Sequence, residues 1–372
     1  MDFIKYRVLW LPLLFAAGLF IVDKVFFLTP VRRATEHWSR LEDYFYGSRE
    51  RLFRLLQQEA AEVGSAADVV LIYGSSRSAP FPVKLFAAEF PGARLYNFSA
   101  PSAAPSYYHY WNSRIRREVG PRVRLALIEI DAGLFTYEAL QPSLAYSYDA
   151  EFIIKYLDWR GTGAGFSLSN AESFFARRMF ALLKYPLVAE HIIENQRELR
   201  YVERGREIVT SQLAIKDRLF AMMAESFEAL RGGIPYPVPR TYDPEELADH
   251  AKEAAKRYRG DSATRASQLF FMRSLLEDLA RDGAPVLIYW PIVADPLREH
   301  LLRAGGGNAD LKSAVEAELA ALRERYPEAP MRLIDLNDSA QVRCREFSDS
   351  YHLAGRCFDD LTRELMRAFR RP

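Results

Sequence analysis

Four short and nearly continuous apolar runs constrain this chain more than any other feature: VVLIY (Val69–Tyr73), VRLALIEID (Val123–Asp131), PVLIYW (Pro285–Trp290) and MRLIDL (Met331–Leu336). A strand that is apolar at every position, not at alternate ones, buries both its faces, which is the situation of a central strand in a parallel sheet covered by helices on both sides. A shorter run, Arg94–Phe98, adds a further strand. Between these runs the pattern is helical, near Phe81–Phe90, over Ser106–Val119, Ala266–Ala280 and Asp310–Arg325, and finally over about Ala354–Phe369. Such alternation predicts an α/β fold, a three-layer α/β/α parallel-sheet domain spanning residues 65–372. From about 132 to 260 the alternation stops and the chain reads as a mostly helical insertion. It includes AESFFARRMFALLKYPLVAEHIIENQRELRYV and a stiff extended stretch, Gly233–Arg240.

The first 28 residues have another character. Val8–Val22 carries no charge, and after Asp23 and Lys24 the apolar pattern resumes as far as Leu28, giving about 20 residues of membrane-spanning length. This predicts a single N-terminal transmembrane anchor over residues 1–28. A cleaved signal peptide lacks the small-x-small site it needs after the apolar run, and a buried core helix is supported chiefly by Asp23 and Lys24. Basic residues lie on both flanks, so charge does not orient the segment. Residues 29–64 read as a connector helix, containing SRERLFRLLQQEAAEV, that lifts the domain off the membrane surface. With 50 Lys and Arg against 49 Asp and Glu there is no electrostatic case for nucleic acid. The two cysteines, Cys344 and Cys357, would close a short loop worth about 3 kcal/mol as a disulfide outside the cytoplasm. The alternative is two unpaired, buried small residues.

Functional groups in open parallel sheets gather beyond the carboxyl ends of the strands. Three hydroxyl-rich or acidic segments fall there: GSSRS (Gly74–Ser78), NFSAPS (Asn97–Ser102) and, after the last strand, FSDSYHL (Phe347–Leu353). Together they bring a serine, a carboxylate and an imidazole to one rim. A hydroxyl becomes a competent nucleophile when an imidazole accepts its proton, and a carboxylate fixes the tautomer of that imidazole. The spacing of Asp349 and His352 suits one turn presenting both side chains to the same side. His37, His109, His191, His250 and His300 are scattered without metal-ligand spacing, so no metal or organic cofactor is implied. Tyr107, Tyr108, Tyr110 and Trp111 read as packing residues in preference to a sugar platform. Arg77, Asn97, Asp131 and Trp290 stand at strand ends where they would line the substrate, with burial or pairing as the alternative.

These blocks resemble the SGNH (GDSL-like) hydrolase superfamily. By that resemblance GSSRS occupies the place of Gly-Asp-Ser-x-Ser, with Ser76 as nucleophile. NFSAPS stands for Asn-x-x-x-x-Gly, so Ser102 falls at the glycine whose amide joins that of Ser76 in the oxyanion hole. DSYH stands for Asp-x-x-His, with His352 as general base and Asp349 as its orienting acid. The third block differs: the strand ends IEIDAGLF, without the asparagine of Gly-x-Asn-Asp, and such a lost donor costs about 3 to 4 kcal/mol of transition-state stabilisation. Ser75 replaces the first-block acid. A GSS block behind one membrane helix is similar to the superfamily's membrane-anchored branch, which includes teichoic-acid D-alanine transfer and alginate O-acetylation proteins. The resemblance implies an extracytoplasmic serine esterase or O-acyltransferase, working through an acyl-serine on acyl esters of a cell-surface carbohydrate or polymer. A multi-spanning membrane O-acyltransferase is the implied partner. Two alternatives stay open: a catalytically weakened accessory or binding subunit of a polymer-modifying complex, and a soluble hydrolase with its N-terminal segment buried.

Overall fold

The computed structural model describes residues 3–31, 41–63, 67–141, 147–184, 193, 197–203, 206–227, 229–234, 244–256, 266–304, 307–338 and 342–370. The chain begins with α1 (Phe3–Val25) and α2 (Leu41–Val63), then alternates β1 (Asp68–Tyr73), α3 (Val83–Glu89), β2 (Arg94–Asn97), α4 (Pro105–Glu118) and β3 (Arg122–Glu129). The insertion follows with α5 (Ala132–Phe135), α6 (Ala150–Lys155), α7 (Leu168–Met179) and α8 (Ala181–Lys184). It continues through the strands β4 (Glu198–Glu203) and β5 (Arg206–Ser211), α9 (Gln212–Ser226) and α10 (Pro244–Lys256). Alternation then resumes with α11 (Ala266–Arg281), β6 (Val286–Trp290), α12 (Asp295–Ala304), α13 (Gly307–Arg325), β7 (Met331–Asp335) and α14 (Phe358–Arg370).

Among the described residues the apolar runs form one five-stranded sheet in the order β2-β1-β3-β6-β7, with every pair parallel. The mixed α/β class read from the sequence is therefore the observed one. Burial divides each strand by parity. Val69, Leu71 and Tyr73 of β1 and Ala126 and Ile128 of β3 face a core shared with α2, α4, α11 and α13. Val70 and Ile72, with Leu125 and Leu127, face α3 and α14. The strand order reverses between β1 and β3, the topological switch point where such sheets place their sites.

Three features depart from the sequence reading. The segment expected to stay helical as far as Val202 turns into an antiparallel hairpin, β4–β5, pairing Arg200 with Val209 and Tyr201 with Ile208. The physical reason lies in the composition of ELRYVE and REIVTS, where Tyr, Val, Ile and Thr favour a pleated strand and restrict the helix. Second, α2 is no free-standing spacer. Leu52, Phe53 and Leu56 have no exposure, and the buried Arg49 guanidinium donates to the carbonyls of Asn97, at 2.9 Å, and Gly232. Third, α12 was not anticipated. The extended stretch expected over Gly233–Arg240 lies outside the described residues beyond Ile234. Tyr107, Tyr108, Tyr110 and Trp111 are buried core residues on α4.

Among the described residues no helix is long and apolar enough to cross a membrane. The anchor expected over 1–28 falls partly outside them, since the side chains preceding Trp10, Lys5 and Arg7 included, are not described. From Trp10 to Val22 the large apolar side chains of α1 are exposed. Asp23, by contrast, is buried: its carboxylate accepts from the amides of Ala181 at 2.8 Å and Leu182 at 2.9 Å.

Candidate active site

Where β1 ends, Gly74 is required by space. A Cβ there would lie 1.9 Å from Ser78 Oγ and 2.8 Å from Glu129 Oε2. The next residues form a single 3-10 turn, Ser76–Ser78, capped by Ser75, whose Oγ accepts from the Arg77 amide. Ser75, Arg77 and Ser78 are buried while Ser76 between them is half-exposed, so the turn offers one hydroxyl to the rim. Ser76 Oγ lies 2.7 Å from His352 Nε2, and His352 Nδ1 lies 2.7 Å from Asp349 Oδ2. The other carboxylate oxygen of Asp349 accepts from the amides of Tyr351 and His352, each at 2.8 Å. Burial pushes the Asp349 carboxyl up, but the His352 hydrogen bond and charge, with these two amides, outweigh it and hold the carboxyl below its usual range. Asp349 therefore stays an anionic acceptor, which assigns the His352 proton to Nδ1 and leaves Nε2 to accept from Ser76.

The second block lies alongside. The Ala100 amide donates to the Gly74 carbonyl at 3.0 Å, laying NFSAPS across the end of β1. Ser102 takes a left-handed backbone, φ 55°, a conformation that favours glycine, and its carbonyl accepts from Gln141 Nε2 at 3.1 Å. Among the expected lining residues, Asn97 is corrected. It is fully buried, its amide group spent on the Ser78 and Ala79 carbonyls and its Oδ1 on the Ser99 amide. Asp131 is buried too, capping the Gly133 amide at 2.7 Å and pairing with Arg77 at 3.0 Å. Trp290 is buried in the core at the end of β6. All three are thus closed to solvent, Asn97 and Asp131 by pairing within the protein and Trp290 by packing.

The residue that sequence reasoning missed is Glu129, the last residue of β3. Its carboxylate has no exposure and accepts from the Ser75 amide at 3.0 Å, Ser75 Oγ at 2.6 Å, Arg77 Nε at 3.0 Å and Ser78 Oγ. Tyr289 completes the network at 2.6 Å from Ser78 Oγ. Ser78 is thus committed here, and α3, with Pro82 at its N-cap position, starts without a side-chain cap. A buried carboxylate persists only when paired and fully hydrogen-bonded; here it fastens three of the five residues of GSSRS to β3. The signal available in the sequence was one acid inside the apolar run LALIEI. His250 of α10 was likewise passed over. Its Nδ1 lies 2.8 Å from Ser350 Oγ and accepts from the Ser350 amide at 3.3 Å, while Tyr351 Oη donates to the Ala254 carbonyl at 2.9 Å. A helix of the insertion thus holds the Asp349–His352 loop.

Cys344 and Cys357 are joined by a disulfide, with their Cα atoms 5.2 Å apart. Among the described residues these sulfurs and Glu346 form one cluster of potential metal donors. The sulfurs bond to each other, however, and Glu346 pairs with Arg356. A family model described as Protein of unknown function (DUF1574) matches residues 3–369. No curated protein matches the chain significantly.

Proposed function

Since the chain belongs to the DUF1574 family, whose description names no activity, we propose from the geometry of the rim that it is a membrane-anchored, extracytoplasmic serine esterase or O-acyltransferase of SGNH type. The observation that carries this reading is the hydrogen-bonded series Ser76–His352–Asp349, at 2.7 Å for each link. Ser76 Oγ attacks an acyl carbonyl carbon as its proton passes to His352 Nε2, and the carbonyl electron pair moves to oxygen. In this mechanism the amides of Ser76 and Ser102 are the donors to that oxyanion. Collapse expels the alcohol or thiol, protonated by His352, and leaves an acyl-serine. Water or a carbohydrate hydroxyl then repeats the sequence in reverse.

Supporting the compartment are the disulfide, which persists in oxidising surroundings, and the exposed apolar shaft of α1, which suits lipid. In this reading the substrate is an acylated cell-surface carbohydrate or polymer, and the partner a multi-spanning membrane O-acyltransferase. One observation favours the accessory-subunit alternative: the end of β3 offers the carboxylates of Glu129 and Asp131, both engaged by Arg77, where a third oxyanion donor would stand. A fluorophosphonate probe separates the two. An active site labels at Ser76, loses labelling in Ser76→Ala, and reacts on the order of 10²-fold or more slowly in His352→Ala. Folded wild-type protein that resists the probe sinks the enzymatic reading and leaves the accessory one.

A further inference from the structure

We infer that α7 and α8 form a second, shallow membrane contact, their exposed apolar side resting in the headgroup and acyl boundary of the bilayer beside α1. This rests on the reading of α1 as an anchor. The corner between α7 and α8 is fastened to the last turn of α1. Asp23 caps the Ala181 and Leu182 amides, Lys24 Nζ donates to the Met179 carbonyl, and the Phe20 and Phe180 rings meet edge to face at 6.2 Å. Lys24 also stands over the Phe20 ring at 4.2 Å. Asp23 and Lys24, the charges that argued against a spanning segment, are thus satisfied by protein at the point where the apolar shaft ends. Any element held within one turn of that point lies within about 5 Å, along the helix axis, of the level where α1 leaves the lipid.

α7 has two apolar sides. Ala171 and Phe174 are buried against the domain. Phe175 and Met179 of α7 and Leu182 and Leu183 of α8 are instead left open, with 39%, 57%, 38% and 49% exposure. α1, to whose last turn this corner is fastened, is itself open at Leu14, 65% exposed, and Phe15, 69% exposed. Basic residues accompany this stripe, Arg177 and Arg178 in the last turn of α7 and Lys184 at the end of α8, with Glu172 as the single acid of α7. An apolar stripe with a cationic margin is the signature of an interfacial helix on anionic lipid. Continuity with α1 and this charge favour lipid over a protein partner.

The test uses the full chain, whose only cysteines are joined to each other. Leu14→Cys, Met179→Cys and Leu183→Cys, with Leu302→Cys as a 72% exposed reference, are spin-labelled and reconstituted alone into phosphatidylcholine and phosphatidylglycerol vesicles. Oxygen and nickel collision rates then give depth. Expected is a label at 14 deep in the acyl region, labels at 179 and 183 about 5 to 10 Å below the headgroups, and 302 in water. Labels at 179 and 183 as nickel-accessible as 302, with 14 still in lipid, overturn the inference and leave the anchor standing. A label at 14 that is also in water overturns the anchor and this inference with it.

Discussion

His109 sits on α4 with 1% exposure, its Nε2 2.9 Å from Tyr156 Oη and its ring among Phe152, Tyr156 and Phe271. Burial, and then the positive charges of Lys155 and Arg116, push its pKa from 6.5 down to about 3. Between those values the unfolded chain binds a proton that the folded protein refuses, so stability falls as pH is lowered from 6.5 towards 3. The slope from this residue is at most about 1.4 kcal/mol per pH unit. His109→Gln, which keeps a hydrogen-bonding group for Tyr156 and cannot titrate, should flatten that slope. Denaturation midpoints at pH 7 and pH 5 for both proteins give the comparison, and an unchanged pH dependence would contradict the assignment. Glu129 makes the same point about buried polar groups from the other side: accepting four hydrogen bonds, it keeps GSSRS in one conformation under Ser76.

At the scale of elements, α10 explains what one part of the insertion does. Ala251, Ala254 and Ala255 pack on Val293 and Leu297, bringing His250 and the Ala254 carbonyl onto the Asp349–His352 loop. His250 is in this reading a positioning residue. Removing it leaves the buried Ser350 amide and hydroxyl short of a partner, a loss of about 1 kcal/mol, or roughly five- to tenfold in rate if it reaches the reacting geometry. His250→Ala should slow fluorophosphonate labelling by that factor while the protein remains folded by circular dichroism, and His250→Gln should restore much of it. Equal rates in all three proteins would show that α10 only packs.

Over the whole molecule, the disulfide ties the segment after β7 to the start of α14 and closes the loop that carries Asp349 and His352. Loop-closure entropy for a loop of this size gives about 3 kcal/mol. Reductant, or a Cys344→Ser and Cys357→Ser pair, should lower the denaturation midpoint accordingly; an unshifted midpoint would mean that the packing of Cys357 alone secures the loop. That the sheet was legible in the sequence follows from two-sided burial, which demands apolar residues at every position of VVLIY and PVLIYW. The meeting of GSSRS and DSYH at one edge followed from strand direction. The β4–β5 hairpin was not legible, because its strands mix polar and apolar residues and lack that demand, and neither was the burial of α2, whose amphipathic pattern suits a spacer and a core helix alike.

The sequence by itself determined a parallel α/β sheet and which segments reach its rim, because periodicity and chain direction are local properties. Only the tertiary structure decided that Asn97, Asp131 and Trp290 are buried, that Glu129 anchors the serine turn, and that His250 holds the histidine loop. The contacts of Glu129 and His250 join residues 51 to 100 positions apart, and no local pattern encodes which buried donor will find which acceptor.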